Sequence, residues 1–262
     1  MLGAIIGDII GSPYEFDSDK DKDFLLFSPE CRPTDDSVMT IAVGCACVEA
    51  DLHDEIDFKT TLIERMRELG RMFRHAGYGG RFYRWLMSDT MWPYGSYGNG
   101  SAMRVSPVAY AAKTLEEAER LAKWSAEVTH NHPEGIKGAQ AVAGAIFLAR
   151  KGASKAEIKK YIEDNYYTLN FTLDEIRPKY SFDVTCEGSV PQAIECFLEA
   201  EDYEDAIRNA VSLGGDADTQ GAMAGAIAEA FFGIPDEIQK EGFSYLDDTL
   251  KDYYLEYALD LY

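Results

Sequence analysis

Two short clusters of oxygen-bearing side chains each stand at the start of an apolar helical segment. The first cluster is Thr34, Asp35 and Asp36, and the second is Asp216, Asp218 and Thr219. Helix capping explains either cluster alone, because a cap accepts a backbone N–H and negative charge suits a helix start. One cap needs only one side chain, however, and each cluster offers three. The surplus acids are therefore candidates for chemistry.

A pair of divalent cations is the chemistry that such a set would serve. Mg²⁺ takes six oxygen ligands at about 2.0–2.1 Å. Four carboxylates brought together without a cation would repel one another, and their pKa values would rise. Two Mg²⁺ ions roughly 3.5–4 Å apart would neutralise them and could activate a bridging water. The clusters lie about 180 residues apart in the chain, so this prediction requires the fold to bring them together.

Three further stretches carry candidate site residues. Glu15 lies in "GSPYEF", directly after an apolar segment. The loop "PYGSYGNG" contains Gly95, Gly98 and Gly100, whose backbone N–H groups could line a cradle for an anion at the start of the next helix, although an ordinary turn also explains it. One of the two tyrosines in this loop, Tyr97, could stack on a base.

The third stretch, "THNHP", holds two histidines, His130 and His132. They could bind a metal, but no third nitrogen or sulfur ligand accompanies them. We expect Thr129 and His130 to form hydrogen bonds or to cap the following helix.

Helical periodicity dominates the rest of the chain and predicts one all-α domain of ten or more helices over residues 1–262. Several predicted helices are rich in Gly and Ala, which allows their backbones to approach closely. A capping box is expected at Thr114 with Glu117, a serine cap at Ser101, and a break at Pro107. The best strand candidate is "YYTLNFTL", at 166–173. Glycine-rich gaps at 77–80, 95–100 and 212–215 are the predicted functional loops.

Composition limits the function classes. The chain is 46% hydrophobic with a net charge of -21, which indicates a globular protein that repels nucleic acid and anionic membranes. The five cysteines have irregular spacing, so we expect buried free thiols rather than a zinc site. The apolar start "MLGAIIGDIIGS" is short and carries Asp8, so it predicts neither a signal peptide nor a membrane span. We expect a cytoplasmic protein.

Five motifs follow one another across nearly the whole chain. They are "GAIIGDIIGSPYEF" at 3–16, "PTDDSVMT" at 33–40, "GSYGNGSAMRVSP" at 95–107, "THNHPEG" at 129–135 and "SLGGDADTQGAMAGAIAEAFFG" at 212–233. Each motif alone is modest, but together and in this order they resemble the ADP-ribosylglycohydrolase family. The resemblance implies an all-α orthogonal helical bundle with a central cleft that holds two Mg²⁺ ions, or Mn²⁺ as in some relatives.

The resemblance also implies a role for each candidate residue. The metal ligands would be Thr34, Asp35, Asp36, Asp216, Asp218 and Thr219. The catalytic residues would be Glu15, Asp35 and Asp218. The residues that bind the substrate would be Ser96, Tyr97, Gly98, Asn99, Gly100 and His130. The implied reaction is hydrolysis of an N- or O-glycosidic bond in an ADP-ribosylated protein or small molecule, which releases ADP-ribose.

One position departs from the family pattern. Some bacterial relatives carry an aspartate in the loop before "GNG", where it is proposed as the base. Here that part of the loop reads Gly95-Ser96-Tyr97, and Asp89 is the nearest preceding acid. The base is therefore expected to be Glu15 or a metal-bound water.

Several alternatives stay open on the sequence alone. The same fold could hold ADP-ribose or a nucleotide without cleaving it, could be a structural protein, or could hydrolyse a phosphoester. The cleaved linkage is open among arginine, serine, a base or terminal phosphate, and O-acetyl-ADP-ribose. The segment 166–190 is expected to border the cleft and to help set specificity. The number of subunits is open as well.

Overall fold

The computed structural model describes residues 1–17 and 20–261, apart from the side chain of Leu259. These residues form fifteen α-helices and one 3₁₀ turn, and no β-strand occurs among them. The helices are α1 Leu2–Gly11, α2 Asp35–Glu49, α3 Glu55–Met72, α4 Gly80–Met87, α5 Gly100–Met103, α6 Ser106–Ala111, α7 Leu115–Glu127, α8 Pro133–Arg150, α9 Lys155–Asn165, α10 Leu173–Ile176, α11 Cys186–Glu199, α12 Tyr203–Leu213, α13 Ala217–Phe232, α14 Asp236–Ser244 and α15 Asp248–Leu261. The 3₁₀ turn is Ser12–Tyr14. The all-α prediction is confirmed.

Helices α1 and α13 pack backbone against backbone at the centre of the molecule. Every residue of α1 is buried, as are the first twelve residues of α13. A methyl group on Gly7 would collide with the Gly221 carbonyl oxygen, and one on Gly11 would collide with that of Ala217. Because Gly3 faces Gly225 at the other end, the two helices run antiparallel. Glycines at every fourth position of α1 therefore permit this close approach.

This packing determines where the acids lie. The first turn of α13 carries Asp218 and lies beside the end of α1, and Glu15 follows the 3₁₀ turn directly after α1. In the middle of α1, Asp8 contacts the start of α2. The two acid clusters, far apart in sequence, are thus brought to the same end of the α1–α13 pair.

Helix starts follow the expected capping chemistry with two corrections. Thr114 caps α7 by accepting the Glu117 N–H, but the Glu117 carboxylate accepts the N–H of Lys113 (2.8 Å) rather than that of Thr114. Ser101 is not a cap, because it lies inside α5 and donates its hydroxyl proton to the Gly135 carbonyl. The break at Pro107 is confirmed, since α5 ends before it and α6 begins with Pro107 in its first turn.

The best strand candidate, at 166–173, does not form a strand. Residues 166–172 connect α9 to α10, and Leu173 is the first residue of α10. The described residues contain no strand with which this segment could pair. An isolated antiparallel bridge instead joins Gly98 to Thr185. The five cysteines are buried free thiols, as predicted. Within the described residues no helix has the length and apolarity needed to cross a bilayer.

Replacement of Gly7 by alanine tests the α1–α13 contact. The added methyl group has no room beside the Gly221 carbonyl, so we expect Gly7→Ala to destabilise the protein by about 1–3 kcal/mol or more. The matched control is Gly79→Ala, whose methyl group would have no heavy atom within 4 Å, and whose effect should stay within about 0.5 kcal/mol. The measurement is denaturant unfolding, and equal midpoints for the two variants would contradict the packing described.

Candidate active site

Asp8 anchors the first acid cluster, although sequence analysis gave it no role in the site. Its carboxylate is fully buried and accepts the backbone N–H of Thr34 (2.9 Å) and of Ser37 (3.0 Å). It also accepts the hydroxyl protons of Thr34 (2.6 Å) and Ser37. Four donated hydrogen bonds fix the start of α2 against α1, and with it the direction of the two acids that follow Thr34.

The acids from three parts of the chain converge into two groups, each able to hold a metal ion. Asp8, Asp36 and Asp218 form one group, in which one oxygen of each residue lies within 4.8 Å of the others. Glu15, Asp216 and Asp218 form the second group, by the same measure. Since Asp218 belongs to both, the groups are adjacent. The two sequence clusters do meet.

The remaining predicted metal ligands have different surroundings. Thr219 donates its hydroxyl proton to Asp36 Oδ2 (3.3 Å) and lines the same cleft. Asp35 also lines the cleft, but it lies outside both groups. Thr34 is the N-cap of α2, and its hydroxyl is hydrogen-bonded to Asp8 and to the Asp36 N–H. At the start of α13 the N-cap position belongs to Asp216, which forms no capping bond and instead accepts the Asn99 amide proton (2.6 Å).

Burial raises the pKa of every acid in the cluster, and repulsion by neighbouring acids adds to the rise for Glu15, Asp35, Asp36 and Asp218. Burial, followed by the charge of Asp8, raises the pKa of Asp35 to about 8. Burial, followed by the charge of Asp216, raises the pKa of Glu15 to about 7. The pKa values of Asp36 and Asp218 lie well above the usual range for the same two reasons. A cation would remove this cost by favouring the charged forms.

The acids other than Asp8 line a cleft with a cavity of about 420 Å³, a size that suits a small-molecule ligand. Ser96, Gly98, Asn99, Gly100 and His130 also line it, so most of the predicted substrate-binding residues share the cleft with the acids. Tyr97 lies outside the set of lining residues. It is 51% exposed and packs edge-on against the His132 ring, with centroids 5.5 Å apart.

Some backbone amides of the glycine loop are used within the protein. Gly95 donates its N–H to Asn131 Oδ1 (2.8 Å), and Ser96 donates to the Thr129 carbonyl (3.4 Å). Gly98 donates to Ser96 Oγ (3.2 Å), and Asn99 donates to the Val184 carbonyl (2.8 Å). Two of the three glycine amides expected to form an anion cradle, those of Gly95 and Gly98, thus have acceptors inside the protein.

The segment 166–190 borders the cleft, as expected from the sequence, because Phe182 and Val184 line that cleft. The buried Arg104 lines it too, and an arginine in the small-residue stretch "GSAMRVSP" was a signal that we could have used. His132, rather than His130, caps α8 by accepting the Glu134 N–H (3.1 Å). Asp89 is exposed beside Arg71 and lies away from the acids.

Comparison with known proteins identifies the family. A sequence model of the family described as ADP-ribosylglycohydrolase matches residues 1–262. The chain therefore belongs to the ADP-ribosylglycohydrolase family. The predicted family and enzyme class, an ADP-ribosylglycohydrolase, are confirmed.

Relatives with curated names agree with this assignment. Human (Homo sapiens) ADP-ribosylhydrolase ARH3 is 27% identical over 94% of this chain and 89% of its own length. ADP-ribosylarginine hydrolase Tri1 of Pseudomonas putida (strain GB-1) is 27% identical over 93% of this chain and 73% of its own. The ADP-ribosyl-[dinitrogen reductase] glycohydrolase of Rhodospirillum rubrum is 26% identical over 94% and 88%.

A solved structure supports the fold. It is described as an ADP-ribosylglycohydrolase-related protein complex, has a TM-score of 0.70, and aligns with 100% of this chain and 96% of its own at 23% identity. The likeness confirms the predicted fold class.

The raised pKa values predict how stability depends on pH in the absence of metal. An acid whose pKa is higher in the folded than in the unfolded state stabilises the fold below about pH 4 and loses that contribution as pH rises through its folded pKa. For Asp35 the loss extends to about pH 8. We therefore expect Mg²⁺ to raise the melting temperature little near pH 5 and most near pH 8.

The matched pair for this measurement is Asp218→Asn and Asp89→Asn. Removal of the buried charge at Asp218 should raise the melting temperature in chelator near pH 8 by a few degrees and should reduce the gain from Mg²⁺. Asp89 is fully exposed, so its variant should behave like the wild type. A Mg²⁺ effect that is equal at both pH values, and equal in both variants, would contradict this account of the cluster.

Proposed function

We propose that residues 1–262 form one catalytic domain that hydrolyses the glycosidic bond of ADP-ribosylated substrates with the help of two divalent cations. The observation that carries the proposal is the convergence of Asp36, Asp216 and Asp218 in one cleft with Glu15 and the loop 95–100. Family membership supplies the reaction class, and the cleft supplies a place for it.

The residues present fit a pair of hard cations. All the candidate ligands are carboxylate or hydroxyl oxygens, which Mg²⁺ and Mn²⁺ prefer. Asp36 Oδ1 is buried with no hydrogen-bond partner, and coordination to a cation would satisfy this oxygen. Mg²⁺ is the expected metal, with Mn²⁺ as the alternative, and the ligands would come from Thr34, Asp35, Asp36, Asp216, Asp218 and Thr219. When bound, the cations would supply positive charge for the ribose hydroxyls and for the attacking water.

The protein's own side chains would transfer a proton, hold a metal ligand in place and bind the substrate. Glu15 lies within reach of Asp216 and Asp218, and burial raises its pKa to about 7. It is therefore placed to take a proton as water attacks the anomeric carbon, which carries positive charge in the transition state. Asn99 holds Asp216 through a 2.6 Å hydrogen bond. The loop binds the ADP-ribose portion, and this remote binding orients the sugar.

The expected partner is an ADP-ribosylated protein or small molecule. Relatives named for ADP-ribosylarginine and for ADP-ribosyl-dinitrogen reductase make arginine a linkage to test first, with serine, base or phosphate, and O-acetyl linkages beside it. A net charge of -21 argues against extended nucleic acid as the partner. The proposed location of the protein is the cytoplasm.

A substrate panel tests the proposal directly. ADP-ribosylated peptides and nucleotides of each linkage are incubated with and without Mg²⁺, and the release of ADP-ribose is followed by mass spectrometry. We expect release with at least one linkage, its loss in chelator, and a decrease of about 10²-fold or more in kcat for Asp36→Asn and Asp218→Asn, with circular dichroism unchanged.

Asp89→Asn serves as the control, because this acid is exposed beside Arg71 and outside the cleft, and its turnover should equal that of the wild type. Binding of ADP-ribose without release from any substrate would show a binding module instead. Cleavage of a phosphoester, with no free ADP-ribose, would show a different hydrolase. Unchanged turnover in the cluster variants would refute the assigned metal site.

A further inference from the structure

Arg104 is a buried cation without an acidic partner. Its exposure is 0%, and it forms no ion pair with a carboxylate in the described part of the chain. Its guanidinium donates to the Ser125 carbonyl (3.3 Å) and to Thr129 Oγ1 (2.8 Å), and its Nε has no partner. Burial of a cation without a negative partner is costly. Arg104 lines the cleft, where an anionic ligand would offset that cost.

The contact with Thr129 determines the direction of a second hydrogen bond. Thr129 Oγ1 accepts from Arg104, so its single proton points away from the guanidinium. His130 Nδ1, at 2.7 Å, is the acceptor that this hydroxyl reaches among the described residues. Because Nδ1 accepts, the proton of the neutral ring resides on Nε2. Burial and the charges of Arg104 and Arg81 hold the pKa of His130 well below its usual range, which keeps the ring neutral.

The Nε2 atom lies against the glycine loop. A methyl group on Gly100 would be 3.0 Å from Nε2, and one on Gly98 would be 3.8 Å away. Because both positions are glycine, no Cβ atom stands beside Nε2 on this side of the ring. His130 lines the cleft as well. The amides of Gly98 and Asn99 are used within the protein, and the ring of His130 offers a further donor at this point of the loop.

We propose that Arg104 and Thr129 are positioning residues that hold His130 as a fixed Nε2–H donor to a phosphate oxygen of the ligand at the glycine loop. The proposal rests on the proposed function, because it takes ADP-ribose as the ligand. The buried guanidinium of Arg104 also lines the cleft, and its positive charge would stabilise a diphosphate bound there.

The tautomer is measured first, without any need for turnover. The chain has four histidines, so ¹⁵N-histidine labelling with two-bond ¹H–¹⁵N correlation resolves each ring, and the His130 signals are assigned by their loss in His130→Gln. We expect a protonated Nε2 and an unprotonated Nδ1 near neutral pH in the wild type and in Thr129→Ser, which keeps the hydroxyl. Thr129→Val, of nearly the same shape, should lose this fixed pattern. A protonated Nδ1 in the wild type would overturn the proposal.

Calorimetric binding of ADP-ribose in Mg²⁺ gives the second readout. Loss of the Thr129 hydroxyl should weaken binding about tenfold in Thr129→Val, while Thr129→Ser stays near the wild type. Equal affinities for the three proteins would overturn the proposal, as would a tenfold loss in Thr129→Val with an unchanged tautomer. If Thr129→Val does not fold, the His130 tautomer of the wild type and of Thr129→Ser still tests the proposal. Absence of ADP-ribose binding in a wild type with protonated Nε2 would refute the proposed function and leave the tautomer assignment standing.

Discussion

Repulsion among buried carboxylates is the constraint that the rest of this molecule has to satisfy. Asp36, Asp216 and Asp218 are nearly inaccessible to water. Burial raises the pKa of all three, and the charges of the other cluster acids raise those of Asp36 and Asp218 further. Left to themselves such groups would move apart or out to solvent. The fold prevents this by fixing the helices that carry them.

Two sets of contacts fix the helices that carry the acids. Glycine contacts fix α1 against α13. Asp8 then joins α1 to α2 through four accepted hydrogen bonds, so three elements are held in one arrangement. The energy stored as repulsion between like charges becomes affinity when a cation binds, because the same charges then attract it.

The cleft holds groups of both charge signs. Its lining includes the acids and the buried guanidinium of Arg104. Under the proposed function, the acids would serve the cations and the sugar hydroxyls, and the guanidinium would serve the diphosphate. The protein's overall charge of -21 makes this local positive region the more important for anion binding.

The sequence predicted the parts of the site that leave a local signal. Acids at helix starts, a glycine loop and the small-residue faces were visible because capping and periodicity are short-range properties. Asp8 was missed as a site residue because its role arises only when α1 meets α2. The strand candidate at 166–173 does not form a strand, because aromatic residues and threonine favour strands only where a partner strand exists. Glu117 was misplaced because its carboxylate accepts the neighbouring N–H of Lys113. Ser101 was misplaced because its hydroxyl has a tertiary partner, the Gly135 carbonyl.

The central claim is that the carboxylates of α2 and α13 form one dinuclear metal site. Crystals grown with Mn²⁺, with anomalous differences recorded at the manganese edge, test it most directly. The account predicts two anomalous peaks about 3.5–4 Å apart, lying between Asp36 and Asp218 and between Asp218 and Asp216. Peaks elsewhere on the surface, or no peak between these side chains at saturating Mn²⁺, would contradict it.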